Sequence, residues 1–128
     1  MEKSENKIRK YKIIIADDDQ AICDSMSMIL VEMGYMVETT GDSNTLSEII
    51  KNKPDLLLLD IWMSGMDGRD IAKQLKANKD TQSIPIIMIS ATRDIMKSAK
   101  VAGADDFITK PFTMEELLIK VAKYCKTS

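Results

Sequence analysis

Four consecutive leucines, Leu56 to Leu59, run from a Pro54-Asp55 turn to a glycine-bearing loop and end on Asp60. A run this short, with no polar residue to face water, fits a strand covered on both faces in the middle of a parallel sheet; a strand with one wet face would alternate. Its last residue narrows the choice. An ionised carboxylate inside so apolar a run would be strongly destabilised by loss of hydration, so Asp60 is expected at the strand's carboxyl end, in a crevice that a cation can enter. Asp60 is the candidate reactive centre. Its rival role would be to cap the loop that follows.

Apolar runs and helix-period segments alternate from end to end, with no repeat, low-complexity tract or linker, which is the pattern of five β/α units. Strands are expected at residues 12–16, 36–40, 56–60, 85–90 and 106–109. The first helix carries Ile22, Cys23, Met26, Ile29, Leu30 and Met33 on one stripe, capped by Asp19 and ended by Gly34. Leu46, Ile49 and Ile50 mark a second helix after the turn at Gly41-Asp42-Ser43, and Pro54 breaks the chain before the leucine strand. Asp67-Gly68 opens a third helix with Ile71, Ala72 and Leu75, and residues 79–83 read as an exposed loop. The fourth, at about 94–102, is the weakest: Ile95, Met96, Ala99 and Val101 anchor it, Gly103 ends it, and mobility is expected there. Thr113 followed by Glu116 is a capping box for a last helix with Met114, Leu117, Leu118, Val121, Ala122 and Cys125. Helical crossovers between short parallel strands predict an α/β, flavodoxin-like, doubly wound five-stranded sheet in the order 2-1-3-4-5 with five helices.

The 128 residues fit one domain, residues 11–128, behind a polar N-terminal tail, residues 1–10, that has no apolar core of a signal peptide. No segment is long and apolar enough to span a membrane, and a cytoplasmic protein is expected. A net charge of −2 without a basic cluster argues against nucleic acid as a direct partner. Cys23 and Cys125, far apart on apolar stripes, are expected as free buried thiols. The chain has no histidine, which removes Ser-His and Cys-His nucleophiles and every His-ligated metal.

What remains is carboxylates, hydroxyls, lysine and a hard cation, and the strand ends supply them. The first strand stops at Asp17 and Asp18, the third at Asp60, the fourth at Ser90, and the fifth leads into Lys110. In a parallel sheet these ends share one edge, so the side chains meet in one crevice. Three carboxylates there repel one another unless a divalent cation neutralises them, and oxygen-only donors suit Mg²⁺, or Mn²⁺, over zinc. Such a cation, with Lys110 as a point charge and Ser90 as a hydroxyl donor, would accept phosphate oxygens. The expected chemistry is phosphoryl transfer onto Asp60, giving an acyl phosphate.

Asp17-Asp18, Asp60 with Met63 and Met66-Asp67-Gly68, Ser90-Ala91, and Lys110-Pro111-Phe112 resemble the receiver domain of two-component response regulators over about residues 12–124. The resemblance implies that Asp60 accepts its phosphoryl group from a phosphohistidine on a sensor histidine kinase or histidine phosphotransfer protein. It implies Mg²⁺ held by Asp18, Asp60 and the backbone carbonyl of Trp62, with Asp17 assisting through water. It also implies Ser90 and Lys110 on the phosphate, Phe107 as a rotating switch, a cis Lys110-Pro111 bond, and output through the fourth helix, fifth strand and fifth helix. Members are phosphoacceptors and not turnover enzymes; their own catalysis is limited to self-phosphorylation and slow self-dephosphorylation.

Ser64 stands where the family usually has proline, which removes a φ restraint from the loop after Asp60. Trp62 and Thr92 flank the expected phosphate, and neither can orient an attacking water. A haloacid-dehalogenase-type phosphatase would want a second aspartate where Trp62 stands, and a phosphate-independent interaction module would not need three carboxylates. The sequence stops directly after the last helix, so a stand-alone receiver acting on a downstream protein target is expected. Met28 and Val31, opposite the buried stripe of the first helix, are the expected docking residues for the phosphodonor.

Overall fold

The computed structural model describes residues 10–42, 44–63, 65–91 and 95–125. Isoleucine and leucine runs without a polar interruption need cover on both faces. They obtain it as β1 (Lys12–Ala16), β3 (Leu56–Asp60) and β4 (Ile86–Ser90), while the more polar and more exposed β2 (Met36–Thr40) and β5 (Asp106–Thr109) form the two edges of the same sheet. All pairings are parallel and the order is β2-β1-β3-β4-β5, as expected. The helices are α1 (Gln20–Glu32), α2 (Thr45–Asn52), α3 (Gly68–Ala77), α4 (Ile95–Ala102) and α5 (Met114–Tyr124).

Alternate strand residues serve opposite layers. Ile13, Ile15, Leu56, Leu58, Ile87, Ile89 and Ile108 pack with Cys23, Met26 and Leu30 of α1 and with Leu117, Val121 and Cys125 at α5. Ile14, Leu57, Leu59, Ile86 and Met88 pack with Ile49 of α2, with Ile71, Ala72 and Leu75 of α3, and with Ala99 and Ala102 of α4. All four leucines of β3 are fully buried, each stabilising the fold by roughly 1.5–3 kcal/mol relative to an exposed side chain. Both cysteines are free and buried.

Caps at the helix ends follow the sequence. Asp19 accepts from the amides of Ala21 and Ile22 at the start of α1, and Gly34 leaves its end at φ 99°. Thr113 and Glu116 form the reciprocal capping box of α5. Where expectation and structure differ, the helix ends or the covering layer is narrower. Met33 is the C-cap of α1 and is 58% exposed, because its stripe would continue only if the helix did. Ile50, Met114 and Ala122 also face solvent, beyond the edge of the sheet layer that covers their neighbours. Thr81, expected in an exposed loop, is buried with its hydroxyl donating to the Leu75 carbonyl at 2.7 Å. The expected start of α4 at Asp94, its anchors Ile95, Met96 and Val101 as side chains, and the positions of Ser43, Ser64 and Thr92 lie outside the described residues, as do residues 1–9 and 126–128.

At the amino edge of the sheet, Lys76 of α3 donates from Nζ to the carbonyls of Gln82 and Ile84 at 3.2 and 2.8 Å and to Asp105 at 3.0 Å. Asp105 in turn accepts from the Ile86 amide at 2.8 Å. A Cβ on Gly103, at φ 84°, would stand 3.3 Å from the Lys76 Cγ, so the end of α4 rests on the same side chain.

Candidate functional site

Register brings the polar strand ends together. Ala16 pairs with Leu59, so Asp17 and Asp60 are the next residues on neighbouring strands; Asp60 pairs with Ile89, and Ser90 with Thr109, one step before Lys110. Ligand atoms of Asp17, Asp18 and Asp60 all lie within 4.8 Å of one another. Lys110 Nζ stands 3.2 Å from Asp17 Oδ2 and 3.7 Å from Asp60 Oδ1. Asp60 is only 7% exposed and Ser90 is buried, whereas Asp18 is exposed. The Lys110 amide donates to the Ser90 carbonyl at 2.9 Å, and the Lys110-Pro111 bond is cis, as expected.

Each member of the Asp17-Asp18-Asp19 triplet has its own task. Asp17 accepts from the Asp19 amide at 2.9 Å as well as from Lys110, Asp18 faces solvent beside the crevice, and Asp19 caps α1. Two glycines let backbone approach the carbonyls here. A Cβ at Gly41 would stand 2.5 Å from the Asp17 carbonyl oxygen, and one at Gly68 would overlap the Asp60 carbonyl oxygen. Sequence reading took Gly41 for a turn and Gly68 for a helix opening. The close approach they permit carries no local signal beyond the glycine itself.

Burial pushes the Asp60 carboxyl up from 3.8 to about 6, Asp17 pushes the same way, Lys110 offsets part of this, and Asp18 adds a further rise. Burial, then Asp17, also raises the Cys23 thiol to about 11, so it is not a thiolate nucleophile. Three carboxylates against one ammonium leave the crevice acidic, and with no nitrogen or sulfur ligand among them the donor set fits a hard divalent cation such as Mg²⁺ or Mn²⁺. Asp17, Asp18 and Asp60 are the side chains that could hold it.

The loop after Asp60 holds what sequence reading missed. Trp62–Met63 pairs antiparallel with Met66–Asp67, with Gly65 between them at φ 70°. Trp62 is 56% exposed, and the Arg69 guanidinium carbon lies 4.8 Å from its ring centroid. Arg69 also grips Asp67, from Nε at 3.0 and 3.2 Å and from Nη2 at 2.7 Å. That fork holds the Asp67 carboxyl below the usual carboxylate range. A two-residue ladder has no periodic signal, and a single arginine in the first turn of a helix carries none either.

Phe107 is partly buried against the layer of α2, α3 and α4, and Lys120 Nζ lies 5.3 Å from its ring centroid while pairing with Asp106 at 2.6 Å. Beside Lys110 a largely apolar groove of about 460 Å³ opens between Ile22, Ser25 and Met26 of α1 and Pro111, Phe112 and Met114. Met28 and Val31 are 66% and 56% exposed, as expected, but do not line this groove.

The same architecture occurs in known proteins. A family model described as the response regulator receiver domain matches residues 13–122. The response regulator MprA of Mycobacterium leprae is 34% identical over 113 residues, which cover 86% of this chain and 49% of that protein. The chain thus spans about half the length of the curated relatives it matches. Among solved structures, a putative response regulator from Chloroflexus aurantiacus is 31% identical with a TM-score of 0.85, over 91% of this chain and 98% of that one. The receiver domain of NtrX from Brucella abortus is 34% identical with a TM-score of 0.78, over 91% and 99%.

Proposed function

Because the chain belongs to the response regulator receiver domain family, a family of phosphoacceptor signalling domains, we propose that Asp60 is its acceptor and that the donor is a phosphohistidine on a sensor histidine kinase or histidine phosphotransfer protein. The observation that carries this reading is the meeting of Asp17, Asp18 and Asp60 within 4.8 Å, with Lys110 Nζ 3.7 Å from Asp60. In transfer, an Asp60 carboxylate oxygen attacks phosphorus in line with the bond to the donor nitrogen. The oxygen–phosphorus bond forms as the phosphorus–nitrogen bond breaks, and the departing imidazole keeps the bonding pair and takes a proton from solvent.

Asp18, Asp60 and the Trp62 carbonyl would hold Mg²⁺, with Asp17 assisting through water. When bound, the cation supplies charge neutralisation for the phosphoryl oxygens. Lys110, already between Asp17 and Asp60, exchanges part of its carboxylate contact for a phosphate oxygen, and the Ser90 hydroxyl donates to another. Movement of Ser90 and its loop frees space for Phe107 and shifts α4, β5 and α5, the surface a downstream protein reads.

No helix among the described residues is long and apolar enough to cross a membrane, and the reading sets the domain in the cytoplasm, where such donors work. It acts by protein docking and not by its own contact with nucleic acid. The test is intact-mass analysis after incubation with acetyl phosphate and Mg²⁺. One phosphoryl group, mapped to Asp60 and absent from Asp60→Asn, is expected; a label mapped to Ser90 would overturn the mechanism.

A further inference from the structure

We propose that Arg69 is a positioning residue for the loop after Asp60: held by Asp67 and laid on the Trp62 ring, it fixes the backbone of that loop relative to the core. The inference rests on the reading of Asp60 and Trp62 as parts of a cation-dependent phosphoryl site.

The loop needs such a device. Its ladder has two pairs, Trp62 with Asp67 and Met63 with Met66, and a two-stranded ribbon this short does not hold itself together in water. Buried Met63 and the hydrogen bond from the Gly68 amide to the Ile61 carbonyl at 2.7 Å secure its base. The Trp62 side, which is more than half exposed, has no such burial.

Arg69 provides a path from there to the core. Asp67 caps α3 by accepting from the Arg69 amide at 2.9 Å, and α3 is anchored through Ile71, Ala72 and Leu75. The same carboxylate takes the guanidinium fork at 2.7 to 3.2 Å, which fixes the plane of the group. A guanidinium so oriented at 4.8 Å from the ring centroid attracts the indole face. The carboxylate, the guanidinium and the indole thus link α3 to a residue two positions beyond Asp60. A lysine in place of Arg69 would keep the charge but lose the planar fork, so it restores the link only in part.

Trp62 is the single tryptophan of the chain, so its fluorescence reports the link without any turnover. Arg69→Gln should increase quenching of Trp62 by acrylamide. It should also weaken Mg²⁺ binding about two- to fivefold, the factor an exposed cation–π contact of this kind is worth, with helical circular dichroism unchanged. Arg69→Lys should fall between the two. Trp62→Leu, read by calorimetry, should weaken Mg²⁺ binding by a similar factor, and the double variant no further, because both changes break one link. Unchanged Mg²⁺ affinity in Arg69→Gln, or losses that simply add in the double variant, would overturn the proposal. If wild type binds Mg²⁺ but acetyl phosphate does not label Asp60, the functional reading fails while the cation titrations still decide the role of Arg69.

Discussion

Replacing Asp60 by asparagine should make the cation-free protein more stable, although it removes the residue proposed to carry the function. The carboxyl is buried between Asp17 and Asp18, with Lys110 shared between two acids, and its pKa rises from 3.8 to about 6 on folding. A rise of roughly two pH units corresponds to about 3 kcal/mol against the ionised form in the folded state. The folded state binds this proton more tightly than the unfolded chain. The stabilisation is therefore complete below about 3.8, fades as pH rises through about 6, and above that the ionised group is a net burden. Asparagine keeps the shape and removes the charge. Lys110 retains Asp17 at 3.2 Å, so its loss of Asp60 subtracts little. Urea unfolding at about pH 7.5 in a chelator should show Asp60→Asn more stable by about 1–3 kcal/mol, with the gap closing toward pH 4. Saturating Mg²⁺ should shrink the gap from the other side, since binding at a hundredfold excess over its dissociation constant stabilises the wild type by about 2.7 kcal/mol. An asparagine variant less stable than wild type in chelator, or a gap that does not change with pH, would refute the electrostatic reasoning.

Lys110→Ala should still be labelled by acetyl phosphate, but chemical shifts on α4 should respond less to labelling than in wild type; equal responses would remove Lys110 from the switch. Gly68→Ala drives a Cβ into the Asp60 carbonyl, and overpacking of this kind typically destabilises by about 1–3 kcal/mol. Urea unfolding would show it, together with weaker Mg²⁺ binding because the Asp60 backbone must shift. Met28→Asp and Val31→Asp, both on exposed positions of α1, should slow transfer from a cognate kinase while leaving acetyl phosphate labelling unchanged. If only Ile22→Asp or Ser25→Asp at the rim of the groove beside Lys110 has that effect, the donor docks on the other flank of α1.

The strand ends were readable because a parallel sheet has few ways to arrange them. Once Ile13–Ala16 and Leu56–Leu59 are strands on neighbouring positions, Asp17 and Asp60 must be neighbours. The widths of helix faces were less readable. A helical wheel gives the direction of Met33, Ile50 and Met114, but not where the layer above them stops, and all three reach solvent. Thr81 looked like loop surface because its one polar atom hides the fact that a helix-end carbonyl, that of Leu75, awaits it. The Arg69 link has no signature in the sequence because it depends on a ladder of two residue pairs and on a ring lying across from it, neither of which has a period.

The Lys76 tie holds α4 to the sheet at the end remote from Asp60. Its ammonium joins the loop before β4 to Asp105, ahead of β5, on the edge of the sheet opposite Asp60, and Gly103 sets the end of α4 against its aliphatic stem. The C-terminal end of α4 is therefore tied to the amino edge of the sheet through Lys76. Lys76→Met would remove the hydrogen bonds to Gln82, Ile84 and Asp105 that make this tie. Under the proposed switch, a helix held at that end would answer a push from the side of Ser90 by tilting about its C-terminal turn and not by sliding along the sheet.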